Sequence, residues 1–118
     1  MHPRSAKAKG RKFQQYVRDK FLEYAKGILE PDDVRSTSMG ADGEDILLSP
    51  AARKIYPYSV ECKHVEKLSI WKAIDQCIAN AKHHIPAVIF RKNHREAYVA
   101  IPLEHFMELI SETRKKEQ

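Results

Sequence analysis

Apolar residues at Phe13, Val17, Phe21, Tyr24, Ala25 and Ile28 recur every three or four positions with charges between them, and Gly27 and Pro31 follow. That spacing predicts an amphipathic helix over 6–27. Val34-Arg35-Ser36-Thr37 reads as a short strand, the segment Gly40 to Gly43 as a turn, and 44–48 and 56–63 as two further strands joined by a turn at Ser49-Pro50. Ser69 suits a helix N-cap. Behind it Ile70, Trp71, Ile74, Cys77, Ile78 and Ala81 form the apolar stripe of a second helix reaching about residue 83, which Pro86 closes. Ala87 to Phe90 and Ala97 to Ile101 are strands around the polar turn Lys92-Asn93-His94-Arg95. Pro102 then opens a last helix carrying Phe106, Met107, Leu109 and Ile110.

The resulting order, α-β-β-β-α-β-β-α, specifies an α/β fold. Its strand-helix-strand passage favours a parallel pair within a mixed sheet flanked by helices. A length of 118 residues suits one domain, small enough that a second subunit would add to its core. No apolar run reaches the roughly eighteen residues of a membrane span, and the first residues lack the apolar centre of a signal peptide, so a cytoplasmic protein without membrane contact is expected. Cys62 and Cys77 show no zinc-type spacing and are read as reduced thiols.

Charge alters the picture at one place. Arg4, Lys7, Lys9, Arg11 and Lys12 crowd the first twelve residues with no acid among them, and the net charge of +5 resides there. Residues 1–8 are read as a basic flexible arm, 9–112 as the folded domain and 113–118 as a fraying tail. Such an arm suits contact with a phosphate backbone.

The candidate chemistry lies on the central strands. Alternate residues of a strand share a face, so Glu61 and Lys63 project together while Cys62 turns away. Asp45 opens the apolar run Ile46-Leu47-Leu48, and the intervening chain is long enough to bring it beside Glu61 on a neighbouring strand. Two carboxylates so placed suit Mg2+, which takes oxygen ligands and leaves positions for water and substrate phosphate. The ammonium of Lys63 would orient the attacking water or offset developing charge. A Glu-x-Lys on a strand is also a common solvated pair; the glycine-bearing segment that delivers Asp45 supports the catalytic reading.

With the elements placed, Asp45 and Glu61-Cys62-Lys63 resemble the PD-(D/E)xK nuclease superfamily. The order of Lys9-Gly10 opening the first helix, Arg35-Ser36 on the next strand, a glycine-containing turn, Asp45 and then Glu61-Cys62-Lys63 is similar to archaeal-type Holliday-junction resolvases and their phage relatives. The resemblance spans about residues 9–110. It implies a restriction-endonuclease-like fold, a homodimer, Mg2+ dependence with Mn2+ as a substitute, no small-molecule cofactor, and symmetric nicking of branched or four-way-junction DNA. Asp45 and Glu61 would be metal ligands together with the backbone carbonyl of Cys62. Lys63 would serve the attacking water, and Ser36 would lie near the scissile phosphate. Where the family has a helix glutamate four residues after the glycine, this chain has Gln14, followed by Gln15; an amide oxygen can face a cation or its water but brings no charge.

The expected DNA contacts are Arg4, Lys7, Lys9, Arg11, Lys12 and Arg35, with Lys72 and Gln76, which share a helix face. Gln76 sits where members of the wider superfamily carry a helix glutamine. Trp71 is read as core or dimer contact, and His64 as a neighbour of the site rather than a base. Two alternatives stand beside the resolvase reading: a nuclease of the same superfamily acting on single strands or restriction-like targets, and a catalytically idle junction-binding subunit.

Overall fold

The structure, a computed structural model, describes residues 3–37 and 43–117, with side chains from Ser5 onward. The expected turn at Gly40 to Asp42 and the side chain of Arg4 lie outside the described residues. The fold is mixed α/β. Helix α1 (Pro3–Glu23) is followed by strands β1 (Val34–Ser36) and β2 (Ile46–Leu48), then α2 (Pro50–Ile55), β3 (Tyr58–His64), α3 (Ile70–Ala81), β4 (Ile85–Arg91), β5 (Tyr98–Ala100) and α4 (Leu103–Glu117).

Strands β1 and β2 form an antiparallel pair. Strand β4 lies between β3, to which it is parallel, and β5, to which it is antiparallel. One backbone hydrogen bond, from Asp45 N–H to the Val60 carbonyl at 2.9 Å, joins the two sheets.

The helices cover opposite faces because side chains alternate along β3. Val60 and Cys62 meet Phe13 and Val17 of α1 in a core shared with Val34 and Ile46. On the reverse face Ala73 and Cys77 of α3 pack with Val88 of β4. Small residues on α3 allow close approach, so that Cys77 Sγ comes within 3.2 Å of the Ser59 carbonyl.

Several expectations are corrected. α1 begins at Pro3, so residues 3–8, with Lys7, stand on helical turns rather than on an arm, and it ends at Glu23 before the turn in which Gly27 takes φ +85°. The expected turn at Ser49-Pro50 is the start of α2, which adds a helix to the expected order. Ser49 caps it, accepting from Ala52 N–H at 3.1 Å, and Pro50 occupies the first turn, where a missing N–H costs nothing. Pro86 does not close α3. It lies in β4 opposite Ser59, beyond the reach of β5, so no ladder bond is lost. α4 continues to Glu117 through the expected tail.

Trp71 is 73% exposed rather than core, and Ile78 is also exposed. Cys77 and Ala81 of the expected stripe are buried, and Ala73 joins them. No helix among the described residues is long and apolar enough to cross a membrane.

The cap of α2 also ties distant segments together, since the Ser49 hydroxyl donates to Asp33 Oδ1 at 2.7 Å. Ser49→Ala is expected to lower stability by about 1–2 kcal/mol. Urea denaturation followed by circular dichroism measures this; an unchanged midpoint would show the cap to be dispensable.

Candidate active site

Asp45 is held at every backbone group. Its N–H donates to Val60, its carbonyl accepts from Thr37 N–H at 3.0 Å, and its Oδ2 accepts from Cys62 N–H at 2.7 Å. The neighbouring loop is braced twice. Arg53 of α2 pairs with Glu44 at 2.6 Å while also donating to the Tyr58 carbonyl, and Asn80 of α3 donates to the Gly43 carbonyl at 3.3 Å. Sequence reasoning missed Arg53, Glu44 and Asn80 as positioning residues. Only the Ser49-Pro50 cap signal, read as a helix start, would have brought Arg53 into view.

Glu61 is 4% exposed, and its Oε1 lies 3.4 Å from Lys63 Nζ. Burial raises the affinity of both acids for a proton. For Asp45 the Cys62 N–H and Lys63 oppose that rise, and for Glu61 the Asp45 charge adds to it. The two carboxyls are close enough to share a hydrogen bond when Glu61 is protonated. The ion pair with Lys63 favours ionised Glu61 but is outweighed by burial and by Asp45. Like charges so close disfavour each other's ionisation, and a cation between them would relieve this.

Cys62 turns its side chain into the α1 core, where burial pushes its thiol well above the ordinary range; Cys77 is pushed up to about 11. Neither is a thiolate nucleophile. Backbone groups of alternate residues point to the same strand edge. Since the Val60 carbonyl and the Cys62 N–H both serve Asp45, the Cys62 carbonyl faces that edge too.

Among the described residues no group of three or more His, Cys, Asp or Glu side chains gathers to hold a metal. The protein offers two carboxylates and a backbone carbonyl. This donor set is all oxygen and fits a hard divalent ion. Gln14, the expected further contributor, is 4% exposed and its Oε1 has no hydrogen-bond partner; α1 packs on the Val60–Cys62 face of β3, whereas Glu61 projects from the other.

Ser36 pairs with Ile46, one residue beyond Asp45, and lines a polar cleft of about 400 Å³ with Gln15, Arg18, Asp19 and Arg35. Lys7, Arg11, Gln15 and Arg18 follow one another at helical spacing, so the basic face of α1 leads into this cleft. Arg18 is fixed by the Val34 and Pro31 carbonyls. Arg35 stays largely exposed, with a 3.7 Å pair to Asp32. Lys9 and Lys12 lie on other faces of the same turns. Lys72 and Gln76 are exposed on α3, on the stripe that Asn80 continues toward Gly43. His64 packs edge-on against Phe13 and meets Asn93 Oδ1 at 3.0 Å, on the face opposite Lys63.

Comparison with protein-family models, with curated proteins and with solved structures finds no match.

Because the folded carboxyls hold protons more tightly than the unfolded chain, their stabilising contribution is complete below the ordinary carboxylate values and lost as pH rises through the raised ones. Asp45→Asn keeps an acceptor for Cys62 N–H and removes one charge. In EDTA its melting temperature is expected to exceed that of the wild type by a margin that grows from about pH 4 toward neutrality. A margin independent of pH would refute the coupling of the pair.

Proposed function

We propose that this protein is a metal-dependent, structure-selective DNA endonuclease of the PD-(D/E)xK type, built on a restriction-endonuclease-like core and cutting four-way junctions as a homodimer. The observation that carries this reading is the pairing of half-buried Asp45 with buried Glu61, with Lys63 beside them, held on adjoining strands by the Cys62 N–H. Asp45, Glu61 and the Cys62 carbonyl would hold Mg2+. When bound, that ion supplies an acidified water and charge neutralisation at the phosphoryl oxygen.

The chain's own residues do the rest. Arg53 and Asn80 fix the loop so that Asp45 meets Glu61 without reorganisation. Lys63, 30% exposed at its side chain, offers its ammonium to the phosphate side of the pair. Ser36 and Arg35 open the polar cleft beside β1, and the basic turns of α1 neutralise the backbone leading to it.

An uncovered apolar surface supports the homodimer. α4 buries no residue, yet Leu103, Phe106, Met107, Leu109 and Ile110 are all exposed. Its attachment to β3 is the bond between Tyr58 and His105 at 2.6 Å. An isolated helix of fifteen residues is marginal in water. A two-fold pairing of α4 with its copy, beside the apolar groove of Trp71, Ile78 and Leu103, would cover both and set two sites for paired nicks.

Purified protein incubated with four-way junction, flap, linear duplex and single-stranded DNA, in Mg2+ or EDTA, tests the activity. Symmetric, Mg2+-dependent nicking of the junction is expected, with Mn2+ substituting. Asp45→Asn and Lys63→Ala should each lower cleavage by about 10²-fold or more while junction binding persists. Cleavage surviving both changes would eliminate this site, and binding without cleavage by the wild type would favour an idle junction-binding subunit.

The dimer is tested separately. Light scattering should give twice the chain mass for the wild type and the single chain mass for Phe106→Asp/Ile110→Asp. A monomeric wild type would overturn the pairing.

A further inference from the structure

Lys63 pairs in register with Phe90 of β4, and Phe90 with Tyr98 of β5. Partners across a ladder share a face, so the three side chains form one row across the sheet on the side of Glu61, with Tyr98 about 10 Å from Lys63 at two strand spacings. The rings of Phe90 and Tyr98 are stacked at 6.4 Å and 30°, and Tyr98 is 54% exposed. They floor a cleft of about 340 Å³ at the C-terminal ends of β3 and β4, the size of a small-ligand site.

The rim of this cleft is cationic. Arg91, Lys92 and Arg95 line it, and none of them forms an ion pair among the described residues. Lys92 and Arg95 are exposed, so their charges are open to a ligand at the rim, whereas Arg91, the ladder partner of His64, starts from the opposite face of the sheet. Two acids also line the cleft, but both are engaged. Glu66 accepts from Asn93 N–H at 2.8 Å, and Glu96 accepts from the Tyr98 hydroxyl at 3.1 Å. An exposed aromatic with unpaired cations beside it is the arrangement that stacks a base and holds its backbone, and every base has a face to offer.

We propose that the Phe90–Tyr98 cleft binds one unpaired nucleobase of the DNA strand whose backbone lies at Asp45, Glu61 and Lys63, with Tyr98 as the stacking surface and Lys92 and Arg95 on the adjoining phosphates. This deepens the nuclease reading and rests on it. A base inside an intact duplex cannot reach a ring on the sheet surface. A strand parted from its complement, as at a branch point or flap, can. The cleft is therefore the element that distinguishes branched from continuous duplex, while the α1 basic face contacts either.

The test measures binding in EDTA, where no cleavage is needed, using the full chain and a fluorescein-labelled twelve-residue oligothymidylate beside an abasic strand of the same length. The wild type should bind the thymidylate about tenfold or more tightly than the abasic strand. Tyr98→Thr, which keeps a strand-forming residue, should abolish that preference, Tyr98→Phe should retain it, and Arg95→Ala should weaken both strands alike. Equal affinity of the wild type for the two strands, or a preference that survives Tyr98→Thr, overturns the proposal. Either result leaves junction nicking by the wild type intact, whereas absence of nicking with the base preference retained would count against the catalytic reading alone.

Discussion

Two hydrogen bonds between Asp45 and β3 link the sheets of this protein and compose its site at the same time. The N–H of Asp45 reaches the Val60 carbonyl, and its side chain receives the N–H of Cys62. β1 and β2 otherwise meet the remaining strands through the common core around Val34, Ile46 and Val60. The backbone joint that makes one structure out of two sheets therefore also sets a carboxylate beside the buried Glu61.

That placement opposes stability. Burial and proximity both disfavour ionisation of the pair, and Lys63 offsets only part of this. The surrounding structure is arranged to hold it nonetheless. Arg53 fastens Glu44 to the base of β3, Asn80 fastens Gly43 to α3, and Thr37 closes on the Asp45 carbonyl. Gln14, with its orphaned oxygen where α1 meets the sheet, adds another polar group without an internal partner. Such departures from local rules gather at functional sites.

The periphery follows a different logic. α1 and α3 each bury a face against β3 and β4, whereas α4 buries none and carries its apolar residues outward. Along the sheet face that holds Glu61, the row from Lys63 through Phe90 to Tyr98 runs from partly buried to exposed. The buried polar groups thus lie at the junction of the sheets, and the exposed apolar and aromatic surfaces lie outward from it.

Much of this was legible from local rules. Period-two alternation put Glu61 and Lys63 on one face and Cys62 on the other. Helical spacing marked α1 and α3, and the strand-helix-strand passage predicted the parallel β3–β4 pair. Local rules failed where competing signals look alike or where burial depends on distant neighbours. Ser49-Pro50 suits a turn as well as a helix start, and the contact of its cap with Asp33 is visible only in the fold. Trp71 and Ile78 fit an apolar stripe, yet the close approach of α3 to the sheet selects Ala73, Cys77 and Ala81 and leaves the larger side chains outside. The types and alternation of the site residues were thus set by the sequence alone, because strand geometry is local. The meeting of Asp45 with Glu61, the burial of Gln14 and the row ending at Tyr98 were decided by tertiary structure, because each depends on which segments pack together.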